Sequence, residues 1–86
     1  MSNTDDYDPV ALGATLKRVR DSAEWITPAG EHRRGMTQSE LARFIGVKQT
    51  AVSAWEVGRA TPSLPNLWRL ARVLNARMAD LLETAD

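Results

Sequence analysis

The sequence predicts an all-α fold in which five short helices build one small domain of 86 residues. Apolar side chains recur three and four positions apart in successive stretches, which is the spacing of one face of an α-helix. Residue types that cap helices stand before three of these stretches, at Asp8, Thr37 and Ser63. Segments rich in glycine and proline separate the stretches, as expected for turns between helices.

The first helix is predicted over residues 9–24. Asp8 suits the cap, and Pro9 suits the first helical position, where its missing N–H costs nothing. The predicted apolar face of this helix consists of Leu12, Leu16, Val19 and Ala23. Residues 1–8 are polar and acidic, and we expect them to form a disordered tail.

Two helices joined by a tight turn are predicted within residues 37–58. Thr37 and Glu40 match a capping box, in which each side chain accepts the backbone N–H of the other residue. Gly46 suits the left-handed conformation that ends the first of these helices. The second covers about residues 48–57, and its predicted buried face consists of Ala51, Val52 and Trp55. A short turn that fixes the crossing angle of two helices defines a helix-turn-helix.

The opposite face of this second helix carries no charge, which is unusual for a helix exposed to solvent. It consists of Gln49, Thr50, Ser53, Ala54 and Val57. A small, uncharged face is suited to the major groove of DNA. There Gln49 can pair with adenine, Thr50 can bond to a base edge, and Ala54 can contact a thymine methyl group. The role of Ser53 stays open.

Two further helices are predicted after a turn rich in breakers. The fourth is capped by Ser63, ends near Asn75, and has an apolar face of Leu67, Leu70, Ala71 and Leu74. The fifth covers residues 78–83, with Leu81 and Leu82 as its apolar residues. Trp55 is expected in the core and Trp25 over the end of the first helix. Trp68 lies beside the apolar stripe, where it forms either a satellite core with the two leucines or an exposed anchor for a second subunit.

The helix-turn-helix stretch resembles the Cro/C1-type (lambda-repressor-like, XRE) family, whose pattern runs TQ-x-x-LA-x-x-x-GV and then W-E-x-G. The residues that carry the resemblance are Thr37, Gln38, Leu41, Ala42, Gly46, Val47, Trp55, Glu56 and Gly58. Further matches extend in both directions and bring the resemblance to about three quarters of the chain. It implies a five-helix, lambda-repressor-like DNA-binding domain over residues 9–86.

The resemblance also implies roles for individual residues. Gln49, Thr50, Ser53 and Ala54 stand at base-reading positions, and Gln38 stands at a phosphate contact beside Thr37, at a helix N-terminus. Arg43, Lys48 and Arg59 flank this face and are candidate phosphate contacts, although each alone is equally consistent with a solvated charge. Arg20 is expected to pair with Glu56; the alternative is that both are solvated.

Residues 26–35 depart from the family pattern as an insertion, which we predict to be a loop because Pro28 and Gly30 are breakers. Two interpretations remain open. The insertion is either a solvated loop without a role or an arm whose Arg33 and Arg34 touch phosphate or a neighbouring groove.

Composition excludes several classes of protein. The absence of cysteine excludes a disulfide framework and a zinc finger. No apolar run approaches the ~18 residues needed to span a membrane, and nothing resembles a signal peptide, so a cytoplasmic, nucleoid-associated protein is expected. No nucleophile–base set or glycine-rich phosphate loop indicates an enzyme. No metal or cofactor is expected, since the single histidine, His32, has no companion ligand.

The formal net charge is zero, but the charges are unevenly distributed. Acidic residues crowd both ends, whereas residues 9–62 contain eight Lys and Arg against five Asp and Glu. This mildly basic middle is compatible with specific DNA binding and lowers the expected affinity for DNA of any sequence.

We therefore expect a sequence-specific regulator of transcription, a repressor, that binds double-stranded DNA. The alternative is an antitoxin or another protein-interaction module with the same fold, favoured by the zero net charge and the apolar C-terminal helix. A domain this small reads few base pairs, so a weak homodimer on a palindromic operator is expected. Its candidate contact surface consists of Trp68, Leu81 and Leu82.

Overall fold

A computed structural model describes residues 8–75 of the chain. These residues form four helices and one two-stranded sheet. In chain order they are α1 (Pro9–Ser22), β1 (Glu24–Ile26), β2 (His32–Arg34), α2 (Gln38–Ile45), α3 (Gln49–Glu56) and α4 (Leu64–Leu74). The predicted fifth helix, with Leu81 and Leu82, lies outside the described residues, as do residues 1–7 of the predicted acidic tail.

The helix-start signals predicted from the sequence are confirmed. The Asp8 carboxylate accepts the N–H of Val10 at 3.0 Å, and the Ser63 hydroxyl accepts that of Asn66 at 3.2 Å. Thr37 and Glu40 form the complete capping box, with side chain to backbone distances of 3.0 and 2.9 Å. These contacts satisfy backbone donors that a helix leaves unpaired at its first turn.

The predicted helix ends are also confirmed for α2 and α4. Gly46 adopts the left-handed conformation at φ 80°, and its N–H donates to the Ala42 carbonyl. Asn75 adopts it at φ 55° after the last residue of α4. Glycine and asparagine tolerate this conformation best, so both helices stop at these positions.

The core lies where α1, α2, α3 and α4 meet. Its most deeply buried side chains, one from each helix, are Leu16, Leu41, Val52 and Leu70. Trp55 is buried among them, as predicted. Gly13 of α1 passes so close to the end of α3 that a Cβ atom there would lie 2.6 Å from the Glu56 carbonyl oxygen. This close contact brings α1 within reach of the acidic residue that ends α3.

The prediction of a loop over residues 26–35 is wrong, and so is the all-α prediction for this part of the chain. β1 and β2 form an antiparallel hairpin in which Trp25 pairs with Arg33 and Ile26 with His32. The first helix correspondingly ends at Ser22 instead of residue 24, because the chain becomes extended at Ala23 to enter β1.

The hairpin forms because its alternating side chains fit the surface of α2. The Trp25 ring packs edge-on against Phe44 with 5.5 Å between centroids, and its indole N–H donates to the Gly35 carbonyl at 2.8 Å. The turn is closed by Thr27, whose N–H donates to the Glu31 carbonyl at 2.8 Å. Pro28 and Gly30 are therefore turn residues between two strands.

Candidate nucleic-acid interface

The uncharged face of α3 is open to solvent at its N-terminal end. Gln49 and Thr50 are exposed, whereas Ser53 and Ala54, one turn further on, are half-buried. The structure thus brings the four predicted base-reading residues onto one helix surface. The first turn of α3 is the most accessible part of that surface, which suits a helix that enters a groove with its N-terminus.

Gln49 is held by a chain of side-chain hydrogen bonds that leads into the protein interior. Its Nε2 donates to Oε1 of Gln38 at 2.7 Å, although the two residues are eleven positions apart. Nε2 of Gln38 donates in turn to Oε1 of Glu56 at 2.8 Å. A carboxylate only accepts, so Glu56 fixes the orientation of the Gln38 amide, and Gln38 fixes that of Gln49.

The structure also brings Arg20 and Glu56 together. The Arg20 guanidinium donates to both carboxylate oxygens, at 2.6 and 2.9 Å, and to the Met36 carbonyl at 2.7 Å. The two side chains are only 9% and 3% exposed. The hydrogen bonds that Arg20 donates to the Glu56 carboxylate are the main reason that the pKa of Arg20 is raised above its ordinary value. The two buried charges are compatible with a stable fold because they are paired with each other and hydrogen-bonded.

Gln38 is the first residue of α2, and a phosphate contact was predicted at this helix N-terminus. The Gln38 amide already donates to Glu56 and accepts from Gln49, so its side chain has one N–H left. The backbone N–H groups of Gln38 and Ser39 have no acceptor within residues 8–75. Thr37 caps this helix through its hydroxyl oxygen, which leaves the O–H hydrogen free to donate.

The flanking cations fall into two groups. Arg43, Lys48 and Arg59 are exposed and form no ion pair within the described part of the chain. Lys48 is the residue that precedes α3, and Arg59 follows soon after its end. Arg43 lies on α2 beside a small pocket that Trp25 and Phe44 also line.

The two arginines of the predicted arm have different surroundings. Arg33 lies on the inner face of the hairpin, with its guanidinium 4.8 Å from the Trp25 ring centroid and 2.8 Å from Oε1 of Glu40. Arg34 lies on the outer face and is exposed, without an ion pair among residues 8–75. Of these two arginines, only Arg34 is therefore available to contact DNA without first giving up an ion pair.

Two features of this surface differ from what the sequence predicts. Gln38 and Gln49, predicted in separate roles, are in contact, because a helix-turn-helix brings these two amides together. The cluster of Trp25, Arg33 and Phe44 was not predicted either. The run of Trp25, Ile26 and Thr27, all favourable in strands, was the available signal.

The predicted dimer surface is described only in part. Trp68 is 56% exposed, so it does not belong to a satellite core within residues 8–75. It borders an open apolar groove of about 500 Å³ together with Leu64, Pro65 and Arg69. Its predicted companions Leu81 and Leu82 lie outside the described residues.

Neither a metal centre nor a membrane span is found in residues 8–75. No three His, Cys, Asp or Glu side chains gather there in a group that could hold a metal ion. None of the four helices is long and apolar enough to cross a bilayer.

A helix-turn-helix family model matches residues 31–81, which is more than half of the chain. The protein belongs to the Cro/C1-type helix-turn-helix family. An uncharacterised HTH-type transcriptional regulator of Archaeoglobus fulgidus is 47% identical to it over 47 residues, which cover 55% of this chain and 67% of that protein. The antitoxin HipB of Escherichia coli is 32% identical over 72 residues, covering 84% of this chain and 65% of HipB.

Solved structures show the same family fold. The restriction-modification controller protein C.AhdI from Aeromonas hydrophila superposes with a TM-score of 0.67 at 28% identity, covering 86% of this chain and 96% of that one. The chain spans about two thirds of the length of the curated relatives it matches. The family membership therefore applies to the helix-turn-helix domain.

Proposed function

We propose that this Cro/C1-type protein binds duplex DNA sequence-specifically, with α3 in the major groove, and represses transcription. The observation that carries the proposal is the position of Gln49. Gln49 stands at the exposed N-terminal end of an uncharged helix face, and a second amide holds its side chain in one orientation. A surface glutamine without such a role would gain little from being fixed, since fixing it costs side-chain entropy.

The hydrogen-bonding groups that Gln49 has left suit adenine. One Nε2 hydrogen is used by Gln38, which leaves the second Nε2 hydrogen and the Oε1 acceptor without a partner within residues 8–75. Adenine offers a matching pair in the major groove, the N7 acceptor and the N6 donor. Thr50, Ser53 and Ala54 complete the proposed reading surface.

The proposed phosphate contacts surround this surface. The free N–H groups at the start of α2, the Thr37 hydroxyl and the remaining Gln38 N–H form one group of donors. Arg43, Lys48, Arg59 and Arg34 form a second, cationic group. They make binding salt-dependent without selecting a sequence. A protein with this role works on the nucleoid in the cytoplasm.

The first test is selection of bound duplexes from a random library, followed by gel shifts of the selected site at low and moderate salt. We expect one preferred site whose binding weakens steeply as salt rises. Gln49→Ala should reduce the preference at one base pair, whereas Arg59→Ala should weaken all sequences alike. Equal binding of the selected site by Gln49→Ala and wild type would contradict the proposed reading surface.

We also propose that the protein forms a weak homodimer on a palindromic operator. The exposed Trp68 and its apolar groove support this, and the half-sites should lie one helical turn apart, about 10 base pairs. Trp68→Glu and Leu82→Asp should each abolish cooperative binding while the monomer stays folded. A selected site without inverted symmetry would contradict the dimer.

The second candidate function is that of an antitoxin, which binds a partner protein as well as its operator. The same apolar groove on α4 favours it, together with the similarity to HipB over most of the chain. In that case Trp68→Glu would abolish binding of the partner and leave the affinity of one domain for DNA unchanged.

A further inference from the structure

The first turn of α2 combines free backbone donors with a nearby carboxylate. The N–H groups of Gln38 and Ser39 have no acceptor within residues 8–75, and a helix N-terminus attracts a phosphate. The Glu40 carboxylate lies at the same end, because its Oε1 accepts the Thr37 N–H at 2.9 Å. An uncompensated carboxylate at this place would repel a phosphate.

Arg33 of the hairpin compensates this carboxylate. Its Nη2 lies 2.8 Å from Oε1 of Glu40, the same oxygen that closes the capping box. Its guanidinium lies over the Trp25 ring, which in turn packs against Phe44 of α2. The Arg33 charge is therefore held beside Glu40 by the ion pair and by the Trp25 ring, and the hairpin packs against α2.

We propose that the hairpin is an electrostatic mask, in which Arg33 neutralises Glu40 so that the N-terminus of α2 can accept a DNA phosphate. This inference rests on the proposed DNA binding. Arg33 is a positioning residue in this scheme, since it acts through Glu40 and makes no phosphate contact of its own. The chain thus retains the capping box of α2 without repulsion between its carboxylate and DNA.

The test is a double-mutant cycle on DNA affinity with Arg33→Gln, Glu40→Gln and the double variant. Glutamine at position 40 also forms a capping box, so this substitution removes the charge and keeps the cap. Affinity is measured by fluorescence anisotropy on a mixed-sequence duplex of about 30 base pairs, at about 50 and 200 mM salt. Arg72→Gln, in the last turn of α4, is the matched loss of one positive charge elsewhere.

We expect Arg33→Gln to weaken binding about fivefold at low salt, because it leaves one charge close to the phosphate at a hydrated surface. Higher salt should reduce the difference. The double variant should return to within about twofold of wild type, because the two substitutions together restore the net charge beside the phosphate to zero. Arg33→Lys and Arg72→Gln should both stay within about twofold of wild type.

A double variant as weak as Arg33→Gln alone would show that Arg33 contacts DNA itself and would overturn the inference. Wild-type affinity for Arg33→Gln would overturn it too. Should Arg33→Gln unfold, Glu40→Gln decides alone: it should tighten binding because it releases the Arg33 charge, and unchanged or weaker binding contradicts the mask. A wild-type chain without salt-dependent DNA binding overturns the proposed function as well, whereas salt-dependent binding that Glu40→Gln fails to restore in the double variant overturns only this inference.

Discussion

Two arginine–glutamate pairs adjoin the start of α2 and differ in burial. Arg20 and Glu56 join α1 to the end of α3, and their side chains are 9% and 3% exposed. Arg33 and Glu40 join the hairpin to the start of α2, and theirs are 40% and 29% exposed. The nitrogen–oxygen distances are similar, at 2.6 and 2.8 Å. Similar contact geometry therefore serves two purposes, and burial decides which pair stabilises the fold.

Truncation of the buried pair should have the largest effect. Arg20→Ala leaves the Glu56 carboxylate buried without its cation, which should cost about 3–5 kcal/mol of unfolding free energy. Urea denaturation followed by circular dichroism measures this loss. Arg18→Ala on the exposed side of the same helix is the control and should change stability by less than about 0.5 kcal/mol. A loss below about 1 kcal/mol for Arg20→Ala would make the buried pair equivalent to a surface pair.

Release of Gln49 from the buried pair should have the next largest effect, and it should appear in DNA affinity. Gln38→Ala removes the link between Glu56 and Gln49, so we expect binding of the selected site to weaken by about 1–2 kcal/mol. Gln49→Ala should cost about 1–3 kcal/mol. The double variant should lose less than the sum of the two, because Gln38 acts partly through Gln49. Strict additivity in gel shifts would show that the two amides act independently.

Truncation of the half-exposed pair should have a smaller effect on stability. Arg33→Ala removes a partly solvated ion pair and a cation–π contact, together worth about 1 kcal/mol. Arg34→Ala, on the outer face of the same hairpin, is the matched control and should be neutral within about 0.5 kcal/mol. Chemical denaturation compares them. A loss for Arg33→Ala as large as that for Arg20→Ala would remove the distinction between the pairs.

The smallest expected effect is a pH dependence carried by the half-exposed pair. The Thr37 backbone N–H, helped by Arg33, lowers the pKa of Glu40 below its ordinary value. A lowered pKa in the folded state gives stability above the unfolded value of about 4.3, which is lost as pH falls through the folded value. Arg20 has a raised pKa, so its contribution is constant throughout this acid range.

Glu40→Gln should therefore show a shallower loss of thermal stability below about pH 4.3 than wild type. Asp21, whose pKa is lowered by Lys17, contributes in the same window, so Asp21→Asn is measured alongside. Identical acid profiles for Glu40→Gln and wild type would show that the folded and unfolded pKa values of Glu40 do not differ.

The sequence could predict the features that depend on local chemistry, and it could not predict those that depend on tertiary contacts. Caps at Thr37 and Ser63 and the left-handed ends at Gly46 and Asn75 follow from local chemistry, so the helices were placed nearly correctly. The hairpin depends on a tertiary contact, the packing of Trp25 on Phe44, which no local pattern contains. A strand of three residues is too short to show a clear period, so its breakers led to the prediction of a loop.

The candidate site divides in the same way. The exposed face that begins at Gln49 was predictable, because it follows from helical periodicity. Its link to Gln38 was not, since it depends on how two helices cross. The separate roles of Arg33 and Arg34 follow from strand alternation, which requires the strand to be known first.

The hydrogen-bonded chain from Glu56 to Gln49 has a consequence for the evolution and redesign of specificity. In the proposed complex, Glu56 determines which atoms Gln49 presents, and so which base is preferred, although the acid itself lies out of reach of the DNA. A substitution at position 49 alone removes the donor that Gln38 Oε1 accepts, so the new side chain is not held in a fixed orientation. Substitutions confined to exposed residues should therefore produce few new base preferences. Libraries that change positions 38 and 49 together, and keep Glu56 for its pairing with Arg20, should yield new ones, because they also change the polarity of the hydrogen bond that orients the reading side chain.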